Sequence, residues 1–237
     1  MSAVARAVDL IIPARNEEEC IESVLGELPR GRFRRTIVVD NGSTDRTAER
    51  AKAMGAEVVR CELEGYGNAS LAALATIAVS DSVVLWMVAD GSDDPADIDA
   101  VVGPVERGEA DLCIGARTRA HRGSMTATQR YGSAFAAAVL SARFRARVRD
   151  LGPFRAIRRD VLESLAMRDT TWGWTIEMQV KAMRAGLAIR EVDVGWRARL
   201  AGTPKVAGTL RGTLGASKKI LSWMAAATLG PRFDPVR

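Results

Sequence analysis

Short uninterrupted apolar runs alternate with helical patterns through the first half of the chain. VDLIIPA (Val8 to Ala14), TIVVDN (Thr36 to Asn41), EVVRC (Glu57 to Cys61), SVVLWMVA (Ser82 to Ala89) and DLCIGA (Asp111 to Ala116) have the length and composition of buried strands. Helix signals fall between them. Asn16 followed by Glu19 fits a capping box opening a helix that runs to Leu28, where Pro29 stops it. GSTD turns the chain into a helix ending at Met54 and Gly55, and GYGNASLAALATIAV is a glycine turn feeding another. Pro95 suits the first position of a helix near Asp97 to Arg107, with Asp94 as N-cap and Asp97 as the capping-box acid. Continuous apolar strands separated by helices predict an α/β fold, a mostly parallel sheet with helices on both faces.

The second half is less regular and reads as a smaller α+β portion. A helix is predicted over Ala127 to Ala142. In ARFRARVRD, Arg143, Arg145, Arg147 and Arg149 recur at period two, which makes one basic face if the segment is a strand. Helices follow near Asp160 to Ala166 and from Trp174. The stripe Ile176, Val180, Met183 and Leu187 gives the last one a buried face, and Gly186 caps it. IREVDVGWRAR alternates like an edge strand, and the tail from Val206 to Leu229 is predicted helical with mixed basic and apolar residues.

At 237 residues and 47% hydrophobic, the chain suits one packed domain with an appendage. Three scattered cysteines and a single histidine, His121 in a polar loop, argue against a disulfide framework, a zinc site or a Ser-His-Asp triad. No run reaches the 18 or so apolar residues of a membrane-spanning helix, and the N-terminus lacks a signal-peptide pattern, so a cytoplasmic protein is expected. The net charge of +5 admits an anionic partner. The basic segments lack interleaved aromatics that would stack bases, which argues against nucleic acid.

In parallel sheets ligands bind beyond the carboxyl ends of the strands. The conspicuous polar residues fall there: Asn16 and Glu17, Asp40 and Asn41, Asp90, and Arg117. Asp90, just before the flexible Gly91, is placed to hold Mg²⁺ or Mn²⁺, ions that bind through one or two carboxylates plus substrate phosphates and water. Asp93 offers a second oxygen. A solvated strand end is the rival reading of Asp90.

LIIPARNEE, IVVDNGSTD, GYGNA, VADGSDDP, IGAR, DLGPFRAIRRD and GWTIEMQVKAMRAG resemble, in order, the motifs of family-2 glycosyltransferases, and most nearly those of dolichyl- or polyprenyl-phosphate mannose and glucose synthases. The resemblance covers Val8 to Val206. It implies a GT-A (Rossmann-like) fold over residues 1–206, a nucleotide-sugar half at about 1–118 and an acceptor half at about 119–206, with 207–237 as an amphipathic helical tail. It also implies a nucleotide-sugar donor of UDP-glucose or GDP-mannose type and a Mg²⁺ or Mn²⁺ cofactor. Carried over by position, Pro13, Ala14, Asn16, Glu17 and Asp40 hold the nucleoside, with Gly67 and Ala89 beside them, and Asp90 is the second acid of a DxD motif. The first acid is replaced by Val88, which can neither coordinate a cation nor accept from a ribose hydroxyl.

The expected reaction is inverting transfer of a hexose to polyprenyl phosphate. An acceptor that is already an anion needs cations to hold it; Arg117, Arg130, Arg155 and Lys205 lie in the matching segments, with Arg117 also facing the leaving diphosphate. Simple surface charge is the alternative for these residues. Glu177 is the general base if the acceptor is a hydroxyl; alternatively it pairs with Lys181 along a polar helix face. Trp172 and Trp174 either meet the acceptor or anchor the core. Lys218 and Lys219 beside Ile220, Leu221, Trp223 and Met224 suit a peripheral contact with the inner face of a membrane, or packing on the sheet or a partner subunit. Transfer to a soluble hydroxyl acceptor in specialised metabolite or glycan assembly, and a nucleotide-binding protein that has lost catalysis, remain as alternatives.

Overall fold

The computed structural model describes residues 6–121, 124, 125, 127–202, 218, 221–223 and 225. Seven strands form one sheet: β1 (Val8–Ala14), β2 (Arg35–Asp40), β3 (Glu57–Arg60), β4 (Val83–Trp86), β5 (Leu112–Ala120), β6 (Arg155–Arg158) and β7 (Ile189–Trp196), in the spatial order β3-β2-β1-β4-β6-β5-β7. The helices are α1 (Ile21–Gly26), α2 (Thr47–Ala53), α3 (Tyr66–Leu74), α4 (Ile98–Glu106), α5 (Ala127–Phe144), α6 (Arg159–Ser164) and α7 (Trp174–Arg184).

The five apolar runs of the first half all contain strands: β1, β2, β4 and the first half of β5 are largely buried within the sheet, whereas β3 is an edge strand with Glu57 and Arg60 exposed and Val58 and Val59 half-buried. In β1, Leu10 and Ile12 pack with α4 residues Val101 and Val105 on one face of the sheet. Ile11, pointing the other way, packs with Ala69 and Ala73 of α3 and Trp174 and Met178 of α7. A third cluster joins α5 (Ala136, Ala137, Leu140) to Ile176 and Val180 of α7 and to Trp223 of the tail. The stripe predicted on α7 is thus buried at its first two positions, with Gly186 in the left-handed region at φ 67° just past the helix.

Several expectations are corrected. The segment PFRAIRR contains a strand: β6 runs antiparallel to both β4 and β5. IREVDVGWRAR does form the edge strand, lying parallel to β5. The period-two arginines are not a strand. Arg143 lies in the last turn of α5, and the chain turns at Arg145, whose φ is 52°. Asn16 is not an N-cap, since α1 begins five residues later behind Cys20 with no side-chain cap. Asp94 does cap its helix, accepting from the Ala96 N–H at 3.0 Å with Pro95 at the first position. Asp97 is used elsewhere. Its buried carboxylate accepts from the Gly195 N–H at 2.7 Å and pairs with Arg119, fixing the end of β7. The predicted tail helix and Lys205 lie largely or wholly outside the described residues.

The start of α3 is built on a close approach. The N–H groups of Gly67 and Asn68 donate to the carbonyls of Thr171 and Thr170 at 3.1 and 2.9 Å. A Cβ on Gly67 would sit 1.9 Å from the Asp169 carbonyl oxygen, so only glycine fits there. Gly67→Ala is expected to lower stability by roughly 3 kcal/mol, the scale of a backbone clash that repacking cannot relieve. Urea denaturation checks this, and an unchanged midpoint would contradict the packing described.

Candidate active site

The loops after β1 and β2 are stitched together by their polar residues. Asn16, in the left-handed region at φ 51°, accepts from the Thr44 N–H at 2.8 Å through Oδ1, while its own N–H donates to Ser43 Oγ at 3.1 Å. The Glu17 N–H donates to Thr47 Oγ1 at 2.8 Å. Asp40, buried at the end of β2, accepts from the Ser43 N–H at 2.9 Å. Asn41 bonds the Leu63 carbonyl and the Gly65 N–H, at 2.7 and 2.8 Å, and so ties in the entry to α3. Pro13 and Ala14 end β1, Ala89 is buried beside Asp90, and Gly67 is covered by the 169–171 loop.

Beyond β4 the chain turns at Gly91, whose φ of 78° is open to glycine at little cost. Asp90 Oδ1 accepts from the Ser92 N–H at 2.9 Å, and Oδ2 accepts from Arg199 Nη1 at 2.8 Å. The second terminal nitrogen of Arg199 is paired with both carboxylate oxygens of Glu17. One guanidinium therefore links the β1 and β4 loops. The segment that carries it crosses the Asp90 turn. The Arg197 N–H donates to the Ser92 carbonyl at 2.8 Å, and the Leu200 N–H to the Asp90 carbonyl at 3.0 Å. Arg197 itself pairs with Asp94 and Glu27, at 2.7 and 2.6 Å. Sequence reasoning missed Arg199. Its only signal was a cluster of basic residues after the last strand.

Asp93 does not stand beside Asp90 as a second ligand. It is 2% exposed, its Oδ2 accepts from the Val88 N–H at 2.9 Å, and its Oδ1 is buried with no partner. Burial pushes its carboxyl up to about 7. Val88 thus contributes its backbone, not its side chain, to this corner. Among the described residues no group of three or more His, Cys, Asp or Glu side chains could hold a metal ion. Asp90 does fit a divalent cation: it is partly exposed, lies at the ligand-binding edge and already holds a positive charge. Such an ion would complete its shell with substrate phosphates and water.

The basic residues separate into different environments. Arg117 lies on β5 with its side chain 9% exposed, 5.0 Å from the Trp196 ring. Its Nε and Nη2 grip Asp150 at 2.6 and 2.7 Å. Burial alone would push the Asp150 carboxyl up, but the bonds from Arg117 and Ser133 bring it down to about 2. Arg155 is wholly buried in β6. It donates to the Gly152 carbonyl at 3.1 Å and the Thr175 carbonyl at 2.8 Å, and burial lowers its guanidinium to about 10. Arg155 therefore holds the backbone before its own strand and does not join Arg117 in an open cluster. Arg130 is exposed on α5, and Lys205 lies outside the described residues.

Glu177 is fully buried. It accepts from the N–H groups of Arg168 and Asp169 at 2.9 and 2.6 Å and pairs with Lys181 at 2.8 Å. This ties the 168–171 loop to α7 and, through that loop, seats it on α3. The helix-face pairing is the one realised, and a proton-accepting role has no exposed face here. Trp174 is a core anchor, fully buried with its ring 6.4 Å from that of Trp86, while Trp172 is half-buried in the loop.

The chain is similar in sequence and in fold to known proteins. The model of the family described as "Glycosyl transferase family 2" matches residues 9–166. An uncharacterised glycosyltransferase of Mycobacterium tuberculosis (strain H37Rv) is 37% identical over 208 residues, covering 88% of this chain and 93% of the relative. A dolichyl-phosphate hexose transferase of Haloferax volcanii is 30% identical over 192 residues, covering 80% of this chain and 82% of that one. Among solved structures, glucosyl-3-phosphoglycerate synthase from M. tuberculosis with Mn²⁺, UDP-glucose and phosphoglyceric acid superposes with a TM-score of 0.78 at 27% identity, covering 95% of this chain and 81% of that one. The same synthase has been crystallised with Mg²⁺ and UDP.

Removing Asp150 leaves Arg117 buried without its counter-charge. Asp150→Asn is expected to lower stability by about 3 kcal/mol at pH 7. Because the folded carboxyl titrates below its unfolded value, its contribution is complete above about pH 4 and is lost as the pH falls through about 2. The stability gap between the two proteins should narrow over that window in pH-dependent urea melts. A gap that stayed constant with pH would contradict the pairing.

Proposed function

Since the chain belongs to glycosyl transferase family 2, a family of enzymes using nucleotide-sugar donors, we propose that it moves a hexose, with inversion, from a UDP-glucose or GDP-mannose type donor to a polyprenyl phosphate. The observation that carries the donor half is Asp90, a cation-holding carboxylate at the end of β4, facing Glu17 across Arg199. The β1 and β2 loops, with Pro13, Ala14, Asn16, Glu17 and Asp40, form the nucleoside seat of this reading. Mg²⁺ or Mn²⁺ on Asp90 supplies positive charge to the departing diphosphate. An ion on Asp90 would take over the counter-charge that Arg199 now supplies, and the pairing of Arg199 with Glu17 uses its other terminal nitrogen.

The acceptor half rests on what Glu177 cannot do. Its carboxylate is buried and committed to two backbone N–H groups and Lys181. A sugar hydroxyl would need a base to take its proton, whereas a phosphate attacks as an anion. An acceptor oxygen forms its bond to the anomeric carbon as the bond to the diphosphate breaks, and both electrons leave with the diphosphate. Arg117, preset by Asp150 and Trp196, and Arg130 are the described cations of this reading, with Lys205 beyond the described residues. The similarity to a dolichyl-phosphate hexose transferase supports a lipid phosphate. The similarity to glucosyl-3-phosphoglycerate synthase favours a second reading, a small water-soluble acceptor that itself carries phosphate. No helix among the described residues is long and apolar enough to cross a membrane.

Incubation with UDP-glucose and GDP-mannose, with Mn²⁺ and with or without polyprenyl phosphate, tests the reading. Label from one donor is expected to enter the organic phase only when the lipid is present, and Asp90→Ala should lower that rate by about 10³ or more. Product confined to the aqueous phase with a soluble acceptor would replace the lipid reading with the second one. Arg199→Met removes the cation that competes for Asp90. Calorimetry should then show Mn²⁺ binding to the donor-free protein about tenfold more tightly, a shift of about 1.4 kcal/mol; unchanged affinity would place the ion elsewhere.

A further inference from the structure

We propose that the outward face of α5, with the basic turn that follows it, docks this protein on an anionic phospholipid surface. Between Asp111 and Asp150 the chain contains no acidic residue and eight arginines. The middle of this stretch is α5, whose inward residues Ala136, Ala137 and Leu140 are buried against α7 and Trp223. On the opposite side, Tyr131, Ala134, Phe135, Ala138 and Ala142 are exposed. At 100° per residue these five fall within an arc of about 100°, a continuous apolar stripe that faces water. Tyr131 and Phe135, one turn apart, are 72% and 56% exposed, so two large side chains stand clear of the core.

Charge frames this stripe. Arg130 lies along one side and Arg143 along the other, and Arg145 and Arg147 follow in the exposed turn at the helix end. None of these four arginines forms an ion pair with a described residue, whereas Arg117 and Arg149 in the same stretch are held by Asp150, Glu191 and Asp193. An apolar stripe bordered by unneutralised arginines matches the layered chemistry of an anionic bilayer surface. Aromatic rings enter at the headgroup level and guanidinium groups meet phosphates. A second copy of the chain is a poor occupant, because it would bring the same positive border against itself.

The position of the face gives it a use. Ser133 donates to Asp150 at 2.5 Å, and Asp150 holds Arg117. The exposed half-turn at Tyr131 is therefore coupled through one residue to the strand end assigned to the acceptor. A membrane met here brings lipid headgroups to the acceptor half. This extends the lipid-phosphate reading, but it is tested by binding and not by transfer.

The test is co-sedimentation of the full chain with phosphatidylcholine vesicles, with and without phosphatidylglycerol, at low and high salt. The wild type is expected to partition at least about tenfold more onto the anionic vesicles at low salt and to come off as salt rises. Arg143→Glu with Arg145→Glu should reduce that partitioning at least about tenfold, and Tyr131→Ser with Phe135→Ser several-fold. Both variants lie on exposed positions and should keep the wild-type melting temperature and UDP affinity. Equal binding to neutral and anionic vesicles, or variants that bind like wild type, would overturn the proposal. So would a wild-type dimer that Tyr131→Ser with Phe135→Ser converts to monomer. Transfer to detergent-dispersed polyprenyl phosphate without vesicle binding would overturn the docking face while leaving the acceptor reading in place.

Discussion

A carboxylate at the end of a buried strand must be balanced, because the surrounding protein solvates it poorly. Here Arg199 answers two such carboxylates at once, Asp90 after β4 and Glu17 after β1. The rest of the donor edge is arranged around that bridge. The chain bearing Arg199 lies over the Gly91 turn, fastened by backbone bonds to Ser92 and Asp90. The same residue that holds the loops together thus pairs with the carboxylate proposed to hold a metal ion. With Val88 offering only its backbone, the corner keeps one partly exposed carboxylate, Asp90, and carries its own counter-charge.

Elsewhere the buried charges serve architecture. Asp150, Arg155 and Glu177 spend their polar atoms on backbone groups or on a single opposite charge. Breaking any of them would strand a partner, so each is a strong local constraint even where the pair adds little net stability. The effect is to fix loops that the sheet alone would leave free. Glu177 secures 168–169, which seats on Gly67, and Asp150 secures Arg117 and the start of α5. Asp93 is the exception. Its Oδ1 is buried without a partner beside the site, and burial pushes the carboxyl up to about 7.

β1, β2, β4 and β5 were legible because each holds an apolar run that burial on both faces explains, while β3, at the sheet edge, showed only Val58 and Val59 between polar neighbours. The gathering of Asn16, Asp40 and Asp90 at one edge followed from strand direction alone. β6 was not legible. RAIR carries an arginine at each end, and its burial depends on carbonyls supplied by Gly152 and Thr175, which no local pattern announces. The period-two arginines failed as a strand signal because alternation in charge without alternating apolar partners gives no face to bury. Asn16 misled for a related reason. A side chain suited to capping also suits a left-handed bend, and the choice was made by Ser43 and Thr44 from a distant loop. Arg117 and Glu177 stood out in the sequence, but their partners, Asp150 and the 168–169 backbone, are set by tertiary packing.

The reversed direction of β6 also sets a spacing. In an all-parallel sheet β4, which leads to Asp90, and β5, which carries Arg117, could be immediate neighbours, and these side chains would crowd one another. With β6 interposed and pointing the opposite way, the two strand ends stand two inter-strand steps apart, about 10 Å. Beside Arg117 lie Gly152, which adds no side chain, and the Trp196 ring, 5.0 Å away. In the proposed reaction this spacing would keep the diphosphate beside Asp90 and the acceptor anion beside Arg117 from pressing their like charges together.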